Sequence, residues 1–245
     1  MTPDLTIVVP TYNERARLAE LVDAIFAAAD AAQLTLELVV VDDNSPDGTG
    51  ALADELATTR RMQVVRRPGK LGLGTAVMAG FAVASSDIVG VMDADFSHPP
   101  SFIPKLFRSM HQTQADLVVA SRYIPGGSIG GWPLWRLLMS RAGCLLARPI
   151  ATVRDSASGF FLIRRSLIRA VNIHAGGFKI CLELLVRVAP DHVVEVPYRF
   201  VDRAVGVSKM STREAVGFLK QLRDLYWLRL RRPMHRVRRY GQIKP

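Results

Sequence analysis

The sequence predicts an α/β protein with a mostly parallel central sheet and helices on both faces. Three observations predict it. Short aliphatic, β-branched runs alternate with helix-like segments through the first half of the chain. Those runs are apolar almost throughout, as strands covered on both faces are. The 245 residues, 49% of them hydrophobic, are enough for one sizeable core.

The elements follow in order. LTIVV (5–9) reads as the first strand, with a helix after Asn13. LELVVVD (36–42) leads into the helical GALADELATT, and MQVVR (62–66) into LGTAVMAGFAVA. DIVGVMD (87–93) leads, past Pro99-Pro100, into SFIPKLFRSMHQ, and ADLVVAS (115–121) follows as a strand. In the second half WPLWRLLMSRAGCLLARPIA (132–151) is a helix carrying Arg136, Arg141 and Arg148 among aromatic and aliphatic residues. Two readings stay open for it: an amphipathic helix at a membrane surface, or a helix packed on the sheet with solvated arginines. GFFLIRR (159–165) and HVVEVPYRFV (192–201) read as further strands, with CLELLVRV between them as a helix. A helix begins near Thr212, and PMHRVRRYGQIKP (233–245) reads as a loose basic tail. The expected organisation is one domain over 1–232 followed by that tail, without internal repeats.

Charge divides the chain. Residues 1–120 hold 9 Lys+Arg against 15 Asp+Glu, a net of −6, and the remainder holds 23 against 7, a net of +16. Such asymmetry points to a polyanionic partner for the second half, nucleic acid or an anionic membrane surface. The arginines interleave with Leu, Trp and Met, and no RNA-binding signature occurs, so the membrane surface is favoured and nucleic acid is not expected. No window holds the roughly 18 consecutive apolar residues of a spanning helix. The N-terminal MTPDLTIVVPTYNE lacks the features of a secretory signal, and Cys144 and Cys181 show no metal or disulfide spacing. The expectation is a cytoplasmic protein.

In parallel sheets ligands bind beyond the carboxyl ends of the strands. Here those ends read PTYNE, DDNSPDG, RRPGKLGLG, DADFSH and SRYIPGG. The turn after the first strand has no glycine, which excludes a dinucleotide fingerprint, and GKLGLG lacks the Ser or Thr of a P-loop. The histidines show no zinc spacing. Asp93 and Asp95 stand one residue apart, so their carboxylates share a face if the strand persists, and a cation between them would relieve their repulsion. The plain alternative is a strand meeting water at a turn.

Taken together, VVPTYNE, VVVDDNSPDGTG, GLGTA, MDADFSHPP, SRYIPGG, SGFF and RAVGVSKMS resemble, in order and spacing, the inverting glycosyltransferases of family 2. Within that family the polyprenol (dolichol) phosphate mannosyltransferases are most similar, from about residue 4 to about 225. The resemblance implies a GT-A nucleotide-sugar-binding fold and transfer of mannose from GDP-mannose to a polyprenyl phosphate. A glucosyl transfer from UDP-glucose is the alternative, and a non-catalytic membrane-surface or nucleic-acid-binding protein the reading from another class. It implies Mg²⁺ or Mn²⁺ at Asp93 and Asp95, hard oxygen ligands suited to a cation shared with phosphates. Some relatives have a Gln where Ser97 stands. Pro10, Tyr12, Glu14, Asp42 and Asp43 would surround the nucleoside, and Arg203 and Lys209 the diphosphate. Arg122, Arg136 and Ser140 would hold the acceptor phosphate, since arginine forks onto phosphate oxygens. Asp155 would position the acceptor or act as base. The same resemblance implies a catalyst docked at the cytoplasmic membrane face, by its own basic surface or through an anchor partner.

Overall fold

The computed structural model describes residues 2–169, 179–202, 212–231 and 239–242. In chain order the elements are β1 (Leu5–Thr11), α1 (Arg15–Ala31), β2 (Leu36–Asp42), α2 (Thr49–Ala57), β3 (Met62–Arg66), α3 (Leu73–Val83), β4 (Ile88–Val91), α4 (Ile103–Thr113), β5 (Leu117–Ser121), β6 (Ser128–Gly130) and α5 (Leu134–Ala147). There follow β7 (Phe161–Arg164), α6 (Arg165–Arg169), α7 (Ile180–Arg187), β8 (His192–Pro197), β9 (Arg199–Val201), α8 (Thr212–Arg231) and β10 (Arg239–Gln242). The main sheet has eight strands in the order β10-β8-β5-β7-β4-β1-β2-β3. All neighbours are parallel except β7, which runs antiparallel between β4 and β5.

Residue alternation along β1 sorts the core into two layers. Leu5, Ile7 and Val9 face Leu18, Leu21 and Ile25 of α1 with Leu106 and Met110 of α4. Val8, with Val39 and Val41 of β2, faces Val77 and Phe81 of α3 and Leu182, Leu185, Leu222 and Leu225 of α7 and α8. Close approach at β4 requires a glycine. A Cβ on Gly90 would lie 2.3 Å from Leu162 Cδ2, 2.8 Å from Ile7 Cδ1 and 3.1 Å from the Phe161 carbonyl.

Three details differ from the sequence reading. The 192–201 stretch is two strands: β8 pairs with β5, then after Tyr198 the chain leaves the main sheet and β9 pairs with β6. The strand before Asp93 ends at Val91. Arg239–Gln242, within the tail read as loose, lies parallel to β8 at the sheet edge.

α5 buries only Cys144 and Ala147 and exposes Leu134, Trp135, Leu138, Met139, Leu145 and Leu146. It packs along α8, where Tyr226 Oη donates to the Leu146 carbonyl at 2.6 Å, and α8 itself exposes Leu219, Trp227 and Leu230. Among the described residues no helix is long and apolar enough to cross a membrane.

Candidate active site

The carboxyl ends of β1 and β2 form the first wall. The turn after β2 clamps the start of α1, whose leading N–H groups have no partner inside the helix. Ser45 Oγ accepts from Asn13 N at 3.0 Å, Thr49 Oγ1 from Glu14 N at 2.9 Å and Asp47 Oδ2 from Arg15 N at 3.1 Å. Asp42 is buried and held inside this turn: its carboxylate accepts from Ser45 N at 3.1 Å and meets Arg66 at 3.4 Å. Asp43, one residue on, faces a different partner. It pairs with the buried Arg67 at 2.9 Å, whose guanidinium is fixed by Thr75 Oγ1 at 2.7 Å. Burial raises the Asp43 carboxyl above the usual range, against the pull of Arg67. Beside them Lys70 Nζ lies 4.5 Å from the centre of the exposed Tyr12 ring, and Pro10 pairs in register with Val41. The structure thus groups Pro10, Tyr12, Glu14 and Asp43 at one edge and gives Asp42 a turn-locking position. Arg67 was not read from the sequence, although the pair of arginines in RRPGK was its signal.

The second wall is the DAD turn. Because β4 ends at Val91, a turn and not strand alternation places the two carboxylates. Asp95 is buried and its Oδ1 accepts from Ser97 N at 3.0 Å, while the Asp93 side chain is 40% exposed. Arg17 of α1 donates to the Asp95 carbonyl at 3.3 Å, and buried Ser97 Oγ has no hydrogen-bond partner among the described residues. His98 closes the turn. Its Nδ1 accepts from Asp93 N at 3.0 Å, its Nε2 is 3.8 Å from Asp93 Oδ2, and its ring stacks on Phe160 at 5.1 Å. Burial lowers its pKa, partly offset by Asp93, so the imidazole is neutral with Nε2–H toward the carboxylate. His98 went unread because a single histidine carries no spacing; its place five residues after Asp93 was the available clue. Two hard carboxylates and an orphaned hydroxyl fit a divalent cation. Among the described residues no cluster of three or more His, Cys, Asp or Glu side chains is arranged to hold a metal.

The third wall follows β5. Arg122 is buried and forks onto Asp155, Nε to Oδ2 and Nη2 to Oδ1 both at 2.7 Å, while its backbone N–H adds a bond of 2.9 Å. Burial alone would weaken its charge, but Asp155 outweighs this and raises its pKa. Glu195 in turn fixes the loop by accepting from Asp155 N at 3.0 Å. Both Asp155 oxygens are therefore engaged by Arg122. Nearer solvent, Arg136 lies over Trp132 at 4.0 Å and reaches Asp202 at 3.3 Å, and Ser140 Oγ bonds Tyr123 Oη at 2.7 Å. Arg203 and Lys209 lie outside the described residues.

One short loop joins the second and third walls. Asp155 holds Arg122, and four residues later Gly159 lies so close to the DAD turn that a Cβ there would sit 3.3 Å from Asp93 Oδ2 and 3.1 Å from His98 Cε1.

Comparison with known proteins identifies the family and the fold. The family model "Glycosyl transferase family 2" matches residues 6–171. A dolichol-phosphate mannosyltransferase of Pyrococcus furiosus is 39% identical over 89% of this chain, which spans 62% of that protein's length. The dolichol-phosphate mannosyltransferase of Saccharomyces cerevisiae is 36% identical over 92% of this chain and 88% of its own. A polyprenol monophosphomannose synthase of Mycolicibacterium smegmatis is 38% identical over 84% and 80%. Among solved structures, glucosyl-3-phosphoglycerate synthase of Mycobacterium tuberculosis with Mn²⁺, UDP-glucose and phosphoglyceric acid superposes with a TM-score of 0.67 at 25% identity, covering 95% of this chain and 82% of the other. A mannosyltransferase of Pyrobaculum calidifontis with GDP-mannose and Mn²⁺ gives 0.65 at 17% identity, covering 96% and 66%, and supports the fold alone. With a GT-A fold, a family match over most of its length and relatives above the 30% level, the chain belongs to glycosyl transferase family 2 and is a glycosyltransferase.

Proposed function

We propose that the chain transfers mannose from GDP-mannose to a polyprenyl phosphate, with a divalent cation, Mg²⁺ or Mn²⁺, at Asp93 and Asp95. The observation that carries the reading is the loop from Asp155 to Gly159, which puts the carboxylate turn and the Arg122 wall within five residues of each other. The names of the relatives supply the sugar and the acceptor class. The bound cation would supply charge stabilisation to the departing diphosphate.

The remaining work falls to side chains. Tyr12 and Asp43 present an aromatic face and a carboxylate to the nucleoside, and Arg136 and Ser140 present a fork and a hydroxyl to the acceptor phosphate. A phosphate monoester with a second pKa of about 6 is largely dianionic at neutral pH, so its oxygen attacks without giving a proton to the protein. Asp155, with both oxygens on Arg122, positions that arginine and is not asked to be a base. A single displacement inverts the anomeric centre, so the product is β-linked. The acceptor's tail stays in a bilayer, and the exposed apolar face of α5, set in the half with net charge +16, supplies peripheral docking at the anionic cytoplasmic leaflet. An anchor partner would add to this docking; nucleic acid has no part in it.

The test is transfer of labelled sugar from GDP-mannose, and separately from UDP-glucose, to polyprenyl phosphate in liposomes, with and without Mn²⁺ or Mg²⁺. Metal-dependent labelling from GDP-mannose is the expected result. Labelling from UDP-glucose alone would replace the sugar, and labelling of neither with nucleotide still bound would overturn the acceptor.

A further inference from the structure

A further pocket opens beside α5 and shares Tyr123 with the third wall. It has a volume of about 340 Å³ and is lined by Tyr123, Arg141, Cys144, Leu145, Arg148 and Arg154. Its construction follows from helix geometry: Arg141 and Arg148 stand seven residues apart, two turns, with Cys144 and Leu145 between them on the same face. Arg154 joins from the segment after α5, where Glu195 Oε2 accepts from its backbone N–H at 2.9 Å.

Three guanidinium groups, each exposed to solvent, line one concavity and give it a positive field that favours an anion. No lining residue is acidic. Among the described residues none of the three makes an ion pair, unlike Arg122 and Arg136, which have carboxylate partners. The floor is neutral, because burial pushes the Cys144 thiol up to about 11. Tyr123 divides this pocket from the acceptor wall: its hydroxyl bonds Ser140, and its ring lies 5.7 Å from Arg141 and 5.3 Å from Arg122. Leu145, which lines the pocket, and its neighbour Leu146 are both more than half exposed.

We infer that this pocket binds the phosphate headgroup of an anionic phospholipid, with the acyl chains leaving over Leu145 and Leu146, as a lipid site distinct from the Arg136–Ser140 acceptor site. Charge complementarity selects the phosphate, and the adjoining leucines select a lipid over a free ion. The inference rests on the membrane docking proposed above. It goes further in assigning a built headgroup site where docking alone needs only diffuse positive charge.

Lysine separates the two, since it keeps the charge but loses the fork that pairs two phosphate oxygens. The experiment is vesicle co-sedimentation of the full chain on neutral phosphatidylcholine and on phosphatidylcholine with phosphatidylglycerol, for wild type and for Arg141→Lys/Arg148→Lys/Arg154→Lys. The expected result is a preference of wild type for anionic vesicles that falls about ten-fold in the triple variant. Labelling of a short-chain polyprenyl phosphate in detergent should stay at wild-type level, which also shows the variant folded. Equal partition of variant and wild type onto anionic vesicles would overturn the pocket and leave docking standing. Absence of wild-type binding to either vesicle would overturn the docking itself, and with it the pocket.

Discussion

Asp95 and Arg122 are both buried charged residues, yet they serve different ends. Asp95→Asn keeps an oxygen to accept from Ser97 N, so the turn should hold while the charge offered to a cation is lost. Transfer should fall by about a thousand-fold, as electrostatic stabilisation of this kind allows, with the thermal midpoint near that of wild type. Arg122→Met should instead unfold more easily, by about 3–5 kcal/mol in urea titration, because it strands the Asp155 carboxylate away from water. Adding Asp155→Leu should restore part of that loss. The DAD pair stood out in the sequence, but three residues alone left both a cation site and a strand meeting water open, and only the ordered set of motifs around it favoured the cation. The Asp43–Arg67 pair and the His98 contact were not legible, because each depends on a turn bringing together side chains whose spacing has no period.

Among the elements, β4 has little room. Gly90→Val should cost about 1–3 kcal/mol by overpacking against Leu162, Ile7 and the Phe161 carbonyl. Gly69→Ala, where an added Cβ meets nothing within 4 Å, is the control and should leave the denaturation midpoint in place. Most strands and helices of the first half were legible, since apolar runs between polar turns leave little choice of period. The direction of β7 was not, because an apolar run reads alike parallel or antiparallel, and only the return of the chain between β4 and β5 sets it. The break at Tyr198 was hidden for a similar reason: residues 192–201 are continuous in character, and the change lies in which strand they pair with. The path of Arg239–Gln242 is likewise a matter of the open β8 edge, which basic composition does not announce.

For the whole molecule, acid stability and catalysis are housed at opposite ends of the sheet. Near the amino ends of β1 and β2, buried Glu37 accepts from Thr6 Oγ1 at 2.6 Å, Gln63 Nε2 at 2.8 Å and Ser85 N at 2.9 Å. Burial would raise its pKa, but these bonds together win and lower it. The folded state therefore takes up this proton less readily than the unfolded one. Its contribution is present above the ordinary Glu range of about 4.3 and is lost as pH falls through the lowered value. Glu37→Gln should flatten that acid limb in denaturation measured across pH, leaving transfer at neutral pH at least half of wild type. The division of charge between the halves was visible in the sequence. Asp202 bears on the acceptor side of the molecule. It pairs with Arg136 at 3.3 Å and so holds that guanidinium over Trp132 before any phosphate arrives. Asp202→Asn unties this tether, so the KM for lipid phosphate should rise while that for nucleotide sugar stays within about two-fold, as steady-state kinetics with each substrate varied in turn would show.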